Sequence, residues 1–403
     1  MAQDPNRLPL RIGLVGTGFL AKTRARCWAR VRNAEISRVA SRTPDAAADF
    51  AREYALPNPA GSVAELLADP EIDAVDVCVP NAAHREIAVA AAEAGKHIIC
   101  TKPLAAFTGH SGDFTDVAEV AETNPFEMWS AAEAEARAME GAAREHGVQL
   151  CYGENWIYAP PLRRAAELLA DADGVLLEMR GGEAHCGSHS PYAKQWQHTG
   201  GGALLRLGAH PVGAMLHLKR QEGLRRSGAP VRPIAVRGDV ADLTKAAGLD
   251  PAKTSVATGW VDVENWGSVS IEFEDGTRGV AFGSDNRLGG MRSELELFAS
   301  NTTLQCNLSP VDQLRAYAPH DQVYPDADLI EKQSTTAGWS TPMTDEDWTS
   351  GQLGMCEAFA EDLLAGQAPE SDAWLGIEVT RVIYAAYASA REGRRVALSE
   401  ISA

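Results

Sequence analysis

Apolar and polar positions follow two different periods along the first third of the chain. The apolar run at residues 12–15 reads as a buried parallel strand, and further strands are read at 35–40, 72–79, 97–100 and 148–152. Between them, residues 19–31, 45–54, 62–68, 85–94 and 129–146 carry helical periodicity. Ser62 supplies an N-cap, and Gly95 and Gly147 close the helices before them. This alternation predicts a doubly wound parallel sheet over residues 1–152.

The pattern changes after that. Residues 162–169 read as a helix and 175–180 as a strand. Residues 261–273 and 278–282 form a hairpin around Asp275-Gly276, and strands follow at 293–299 and 303–307. These elements predict an α/β domain with an open, mostly antiparallel sheet at 153–403, one face of which is available for dimerisation. Residues 105–125 and 310–349 read as loop. The closing helices, 352–364 and 373–391, are free to pack back on the first domain. With 403 residues, two domains are expected.

Charge and cysteine usage narrow the class. A formal net charge of −18 repels nucleic acid and anionic membrane, so neither is expected as a partner. The seven cysteines are scattered and form no C-x-x-C pair, the usage of a reduced, cytoplasmic protein. Residues 1–8 are polar and lack the apolar core of a signal peptide, and no apolar run is long enough to span a bilayer.

The chemistry begins where the first strand ends. Gly16-Thr17-Gly18-Phe19-Leu20-Ala21 is a G-x-G-x-x-A pattern between a strand and a helix. Gly16 permits the tight turn, Gly18 lets the backbone approach a pyrophosphate, and Ala21 lets the helix pack closely. The free N–H groups of Phe19, Leu20 and the rest of the first turn then face the phosphates. The second strand ends in Ser41-Arg42, with no acidic residue for the adenosine ribose. Arg42 suits a 2′-phosphate, which favours NADP over NAD; an ordinary surface arginine also fits. Pro80, Asn81 and His84 follow the third strand and Thr101-Lys102 the fourth, on the edge where such sheets bind ligands. Lys102 suits polarisation of a substrate oxygen, although a surface lysine has the same local signature.

Beyond residue 152, Trp156 and Tyr158 lie in a loop. Residues 181–198 then gather Glu183, His185, His189, Tyr192 and Trp196. Aromatic faces and polar groups of this kind fit a carbohydrate site. Glu183, His185 and His189 are also metal-ligand types, but their spacing matches no standard metal motif, and no metal is assigned. A triple glycine at 200–202 leads into a segment read as one helix, with Arg206 and His210 a turn apart on one face. An imidazole there is suited to taking a proton from an alcohol, and equally to a structural role.

As a set, Gly16 to Ala21, Val79-Pro80-Asn81 with His84, Thr101-Lys102-Pro103, Gly200 to His210 and Tyr384 to Gly393 resemble the glucose–fructose oxidoreductase/inositol dehydrogenase family, Gfo/Idh/MocA. The resemblance runs from Arg11 to about Leu398. It implies a Rossmann domain followed by an open-sheet α/β domain, and a homodimer or homotetramer. It also implies hydride transfer between NAD or NADP and the hydroxyl-bearing carbon of a sugar or polyol. By that likeness Lys102 and His210 are catalytic, and Gly16, Gly18, Phe19, Leu20, Ser41, Arg42, Pro80, Asn81, His84, Thr101 and Lys102 contact the cofactor. Trp156, Tyr158, Glu183, His185, His189, Tyr192, Trp196 and Arg206 are expected to shape the substrate site. Two positions depart from the family pattern: Thr101 replaces a glutamate, and Arg206 stands where an aspartate precedes the histidine. A cation at 206 is expected to lower the pKa of His210 if the two are close. A narrower likeness, in residues 153–160, 183–196 and 200–219, is to a subgroup that oxidises the 3-hydroxyl of a glucosyl unit in glycosides. A ketosugar reductase and a non-catalytic nicotinamide-binding sensor are the alternatives.

Overall fold

The structure, a computed structural model, describes residues 8–109, 117–188, 190–309 and 313–401. The chain divides into two compact units, each assembled from separate segments. The first takes residues up to Ala106, Ala131–Tyr158 and Gly351–Thr380; the second takes Phe107–Ser130, Ala159–Ser350 and the chain from Arg381. Residues 351–380 thus group with the first unit and 107–130 with the second.

In the first unit, β1 (Leu10–Val15), β2 (Ala34–Ala40), β3 (Ala74–Val77), β4 (His97–Thr101) and β5 (Leu150–Gly153) form a parallel sheet in the order β2-β1-β3-β4-β5. The strands are largely apolar because helices cover both faces of such a sheet; Ile12, Leu14, Val77, Ile98 and Ile99 are buried. The strand order reverses direction beside β1, so the carboxyl ends of β1 and β3 flank a crevice. The helix Phe19–Trp28 packs on the helix Gln352–Ala365 within this unit. Arg24, on the first of these, donates to Gln352 (2.8 Å) and lies 3.5 Å from the buried Asp76 carboxylate. Asp76 also accepts the Trp28 indole N–H (2.8 Å), so its burial is compensated by two partners on that one helix.

The second unit is built on a mixed sheet. Its strands are β6 (Leu176–Ala184), β7 (Pro233–Ala241), β8 (Trp266–Phe273), β9 (Arg278–Ser284), β10 (Arg292–Ala299), β11 (Thr303–Asn307) and, after a separate ladder of β12 (Ala316–Ala318) and β13 (Gly338–Ser340), the short β14 (Val396–Ala397). The order is β11-β10-β6-β9-β8-β7-β14, and β6 with β9 is the parallel pair among antiparallel neighbours. Alternate residues of β8, Gly267, Val269, Ile271 and Phe273, are buried, and they share a face with Ala281 and Leu295. The helices Ala203–Arg206 and Ala209–Ser227 cover that face. They come close where the sheet carries glycine beneath them. A Cβ on Gly283 would stand 2.2 Å from the Ala203 carbonyl oxygen, and one on Gly181 would press on Leu295 and Pro211.

Several local expectations change. The long helix begins at Pro125, not 129, with Asn124 accepting the Phe126 N–H (2.9 Å); proline at the first helical position after an asparagine is a start signal. Part of the expected loop before it is the helix Val117–Glu122, and β7 falls where no strand was assigned. Arg206 and His210 do not share a helix: Leu207 and Gly208 break the chain between Ala203–Arg206 and Ala209–Ser227. All seven cysteines are free. No helix among the described residues is long and apolar enough to cross a membrane.

Candidate active site

The first unit carries a phosphate cradle. Gly16, at φ +117°, follows β1, and a Cβ there would lie 2.2 Å from the Cys78 carbonyl oxygen just after β3. Only glycine satisfies both the backbone angle and that approach. Gly18 caps the helix Phe19–Trp28 at φ −80°, without a side-chain hydrogen bond, and no acidic residue occupies the first turn. A Cβ at Gly18 would meet nothing within 4 Å. A helix start with uncapped N–H groups, a positive dipole end and open space in front of it fits a pyrophosphate. Phe19 is exposed and Leu20 half-buried beside it. The Thr17 and Ser41 hydroxyls lie 3.3 Å apart across the ends of β1 and β2, and Arg42 beyond them is exposed.

Pro80 is exposed and Asn81 half-buried in the turn after β3. His84 is 1 % exposed, with Nδ1 against the Leu104 carbonyl (3.1 Å) and Nε2 against the Val79 carbonyl (3.0 Å). It therefore ties the loop after β3 to the loop after β4, the loop that carries Lys102. Burial lowers its pKa more than the carbonyls raise it. Thr101 closes β4 in the interior, and Lys102 is half-buried.

Glu154, after β5, is fully buried and accepts the Trp156 N–H (3.1 Å). Burial pushes its carboxyl up to about 8, against the pull of the Lys102 ammonium. Sequence reasoning missed this residue, and a carboxylate directly after an apolar strand was the available signal. Trp156 and Tyr158 are buried in the turn Asn155–Tyr158; the Tyr158 oxygen accepts the Ser371 N–H (3.1 Å), and its ring meets Phe359 edge-on.

The second unit brings together four of the expected residues. His210 and Glu183 are both buried, with Nε2 4.0 Å from Oε1. Arg206 is hydrogen-bonded to the buried Asp285, which follows β9, and its guanidinium lies over Trp260. Nδ1 of His185 lies 3.2 Å from Asp285 and accepts the Gly187 N–H (3.0 Å). Burial raises the Asp285 carboxyl, with Arg206 and Lys332 opposing.

Glu264, also missed in the sequence, lies directly before β8. It accepts the Gly202 and Leu204 N–H groups and the Tyr387 hydroxyl, each at 2.9 Å, and so pins the glycine-rich turn ahead of His210. Burial lifts its carboxyl to about 7.

The aromatic residues of this stretch make contacts of their own. Trp196 is buried, donates to the Phe107 carbonyl (3.0 Å) and packs on Tyr387. Tyr192 is exposed and edge-on to His198. His189 lies outside the described residues. Among the described residues no three His, Cys, Asp or Glu side chains gather as a metal site.

Comparison with known proteins agrees with this architecture. The sequence model of the oxidoreductase family with an NAD-binding Rossmann fold, GFO_IDH_MocA, matches residues 10–132. Levoglucosan dehydrogenase of Pseudarthrobacter phenanthrenivorans is 27% identical over 369 residues, 86% of this chain and 85% of the relative. Residues 10–132 therefore carry a Gfo/Idh/MocA-type Rossmann domain. The chain is an oxidoreductase, and its nicotinamide cofactor is NAD or NADP. The 1,5-anhydro-D-fructose reductase of Ensifer adhaerens is 38% identical over 95 residues, 24% of this chain and 28% of the relative. The fold matches GenD2 from gentamicin A biosynthesis in complex with NAD at a TM-score of 0.76 and 24% identity, over 98% of this chain and 97% of that one. It also matches levoglucosan dehydrogenase with NADH and levoglucosan at 0.70 and 21%, over 97% and 100%.

Proposed function

We propose that this enzyme oxidises a secondary hydroxyl of a sugar or glycoside with NAD or NADP, with His210 as acid/base and Lys102 as the group that stabilises the oxyanion. The observation that carries the reading is His210 itself: a buried imidazole at the start of a helix, faced by a carboxylate and preceded by a turn pinned on Glu264. When bound, the cofactor supplies the hydride acceptor. His210 takes the hydroxyl proton, and the Lys102 ammonium lowers the energy of the alkoxide as it develops. The finer reading is oxidation of a glucosyl 3-hydroxyl to a 3-keto-glycoside.

The test is growth of the reduced-nicotinamide absorbance with NAD or NADP against levoglucosan, D-glucose, D-xylose, myo-inositol and an aryl O-glucoside. A responding glycoside is expected, with product analysis locating the new carbonyl at C3. Lys102→Ala and His210→Ala are expected to lower kcat by about 100-fold or more. Wild-type turnover in both variants overturns the mechanism. Turnover only of NAD(P)H with a ketosugar reverses the direction and leaves the residue roles in place. Cofactor binding without turnover of any of these points to the non-catalytic sensor.

A further inference from the structure

We propose that Glu183 is a positioning residue that orients and electrostatically supports His210, and not a ligand for the sugar. The inference rests on His210 being the acid/base.

The sheet register sets the arrangement. Glu183 on β6 lies directly opposite Ser293 on β10 and beside Gly283 on β9, on the face covered by the helix Ala209–Ser227. Ser309 donates its hydroxyl to Ser293 (3.1 Å), and Ser293 donates to Oε2 of Glu183 (3.0 Å). The donors point one way, ending on the carboxylate, which fixes its rotamer. The remaining oxygen, Oε1, is turned to Nε2 of His210 at 4.0 Å.

Glu183 is 5% exposed and Ser293 2%, so this chain is shielded from solvent. Gly181, two residues earlier on the same face of β6, leaves room for Pro211, which seats the start of the helix over the strand. When His210 takes the substrate hydroxyl proton, as the hydride passes to NAD(P)+, the imidazolium forms beside the fixed Glu183 carboxylate. The proton stays on His210. Among the other charged groups around this corner, Arg206 at the end of the preceding helix is hydrogen-bonded to Asp285 after β9, His185 after β6 lies 3.2 Å from that carboxylate, and Glu264 before β8 is held by the Gly202 and Leu204 N–H groups and Tyr387.

The experiment follows the histidine titrations by NMR in ligand-free protein labelled with 15N-histidine. The sequence has ten histidines, and the His210 signal is the one lost in His210→Ala. Replacing Glu183 by glutamine, which keeps the shape and removes the charge, is expected to lower the His210 pKa by about one unit or more. Ser293→Ala is expected to move it the same way by less, and provides the test if the glutamine variant does not fold. With the sugar that reduces the cofactor, Glu183→Gln should lower kcat at least about tenfold, with KM changed less than about threefold. The acidic limb of its pH–rate profile should follow the shifted histidine.

An unmoved His210 titration in Glu183→Gln overturns the proposal, as does a variant that loses KM and keeps kcat, the signature of a substrate ligand. If His210→Ala retains turnover, the acid/base reading falls instead, whatever Glu183 does to the titration.

Discussion

Replacing Gly18 by alanine separates what the ligand demands of the glycine loop from what the fold demands. At Gly18 the backbone is at φ −80°, which alanine adopts freely, and the new methyl would meet nothing within 4 Å. Removing glycine freedom from the unfolded chain stabilises by roughly 0.4–1 kcal/mol. Losing glycine at an N-cap costs a similar amount, about 0.5–1 kcal/mol. The two offset, so the ligand-free Tm is expected to stay within about 2 °C of wild type.

Bound dinucleotide experiences a different change. The methyl occupies the space through which a pyrophosphate approaches the first N–H groups of the helix. Losing one hydrogen bond to a charged group costs about 1.5–3 kcal/mol, which raises Kd by roughly 10- to 150-fold. The assay pairs thermal unfolding without ligand and titration with NADH and NADPH, followed by nicotinamide fluorescence. Gly16→Ala is the contrast. There φ is +117° and the methyl would press 2.2 Å from the Cys78 carbonyl oxygen, so strain of about 1–3 kcal/mol lowers Tm by several degrees even without ligand. Unchanged nucleotide affinity in Gly18→Ala refutes the assignment of this loop as the pyrophosphate cradle.

Three other measurements bear on the site. Arg42→Ala should raise KM for NADP more than for NAD in steady-state kinetics; equal changes show that Arg42 does not meet a 2′-phosphate. Glu154 has a folded pKa raised to about 8 by burial, so the stability it contributes is present in full below its unfolded value near 4.5 and is lost as pH rises towards 8. Glu154→Gln should therefore gain several degrees of Tm over wild type between pH 5 and pH 8, and a pH-independent difference contradicts the buried, proton-holding carboxyl. Tyr387→Phe removes a hydroxyl donor from Glu264, at an expected cost of roughly 1.5–3 kcal/mol in denaturant unfolding with little change in nucleotide affinity; unaltered stability means the bond carries no net energy.

The sequence by itself determined the Rossmann half and its ligand edge. An apolar run ending in Gly16-Thr17-Gly18 before a helical period states the turn, the close approach and the helix start, because backbone sterics and periodicity are properties of neighbouring residues. Lys102 and His210 stand out in the sequence by type and by resemblance, but the placing of carboxylates beside them does not. The pairing of β6 with β10 sets Glu183 between Ser293 and His210. Asp285 reaches Arg206 across 79 residues, and Glu264 reaches Gly202 across 62. The break at Leu207-Gly208 was signalled by a glycine inside a helical pattern, yet its depth comes from Gly283 beneath it. The inclusion of residues 351–380 in the first unit likewise depends on helix packing, through Arg24 and Gln352. The physical reason is common to all of these. A buried carboxylate is tolerated only where donors converge on it, and convergence is set by sheet register and helix seating between residues far apart in the chain, which local sequence does not encode.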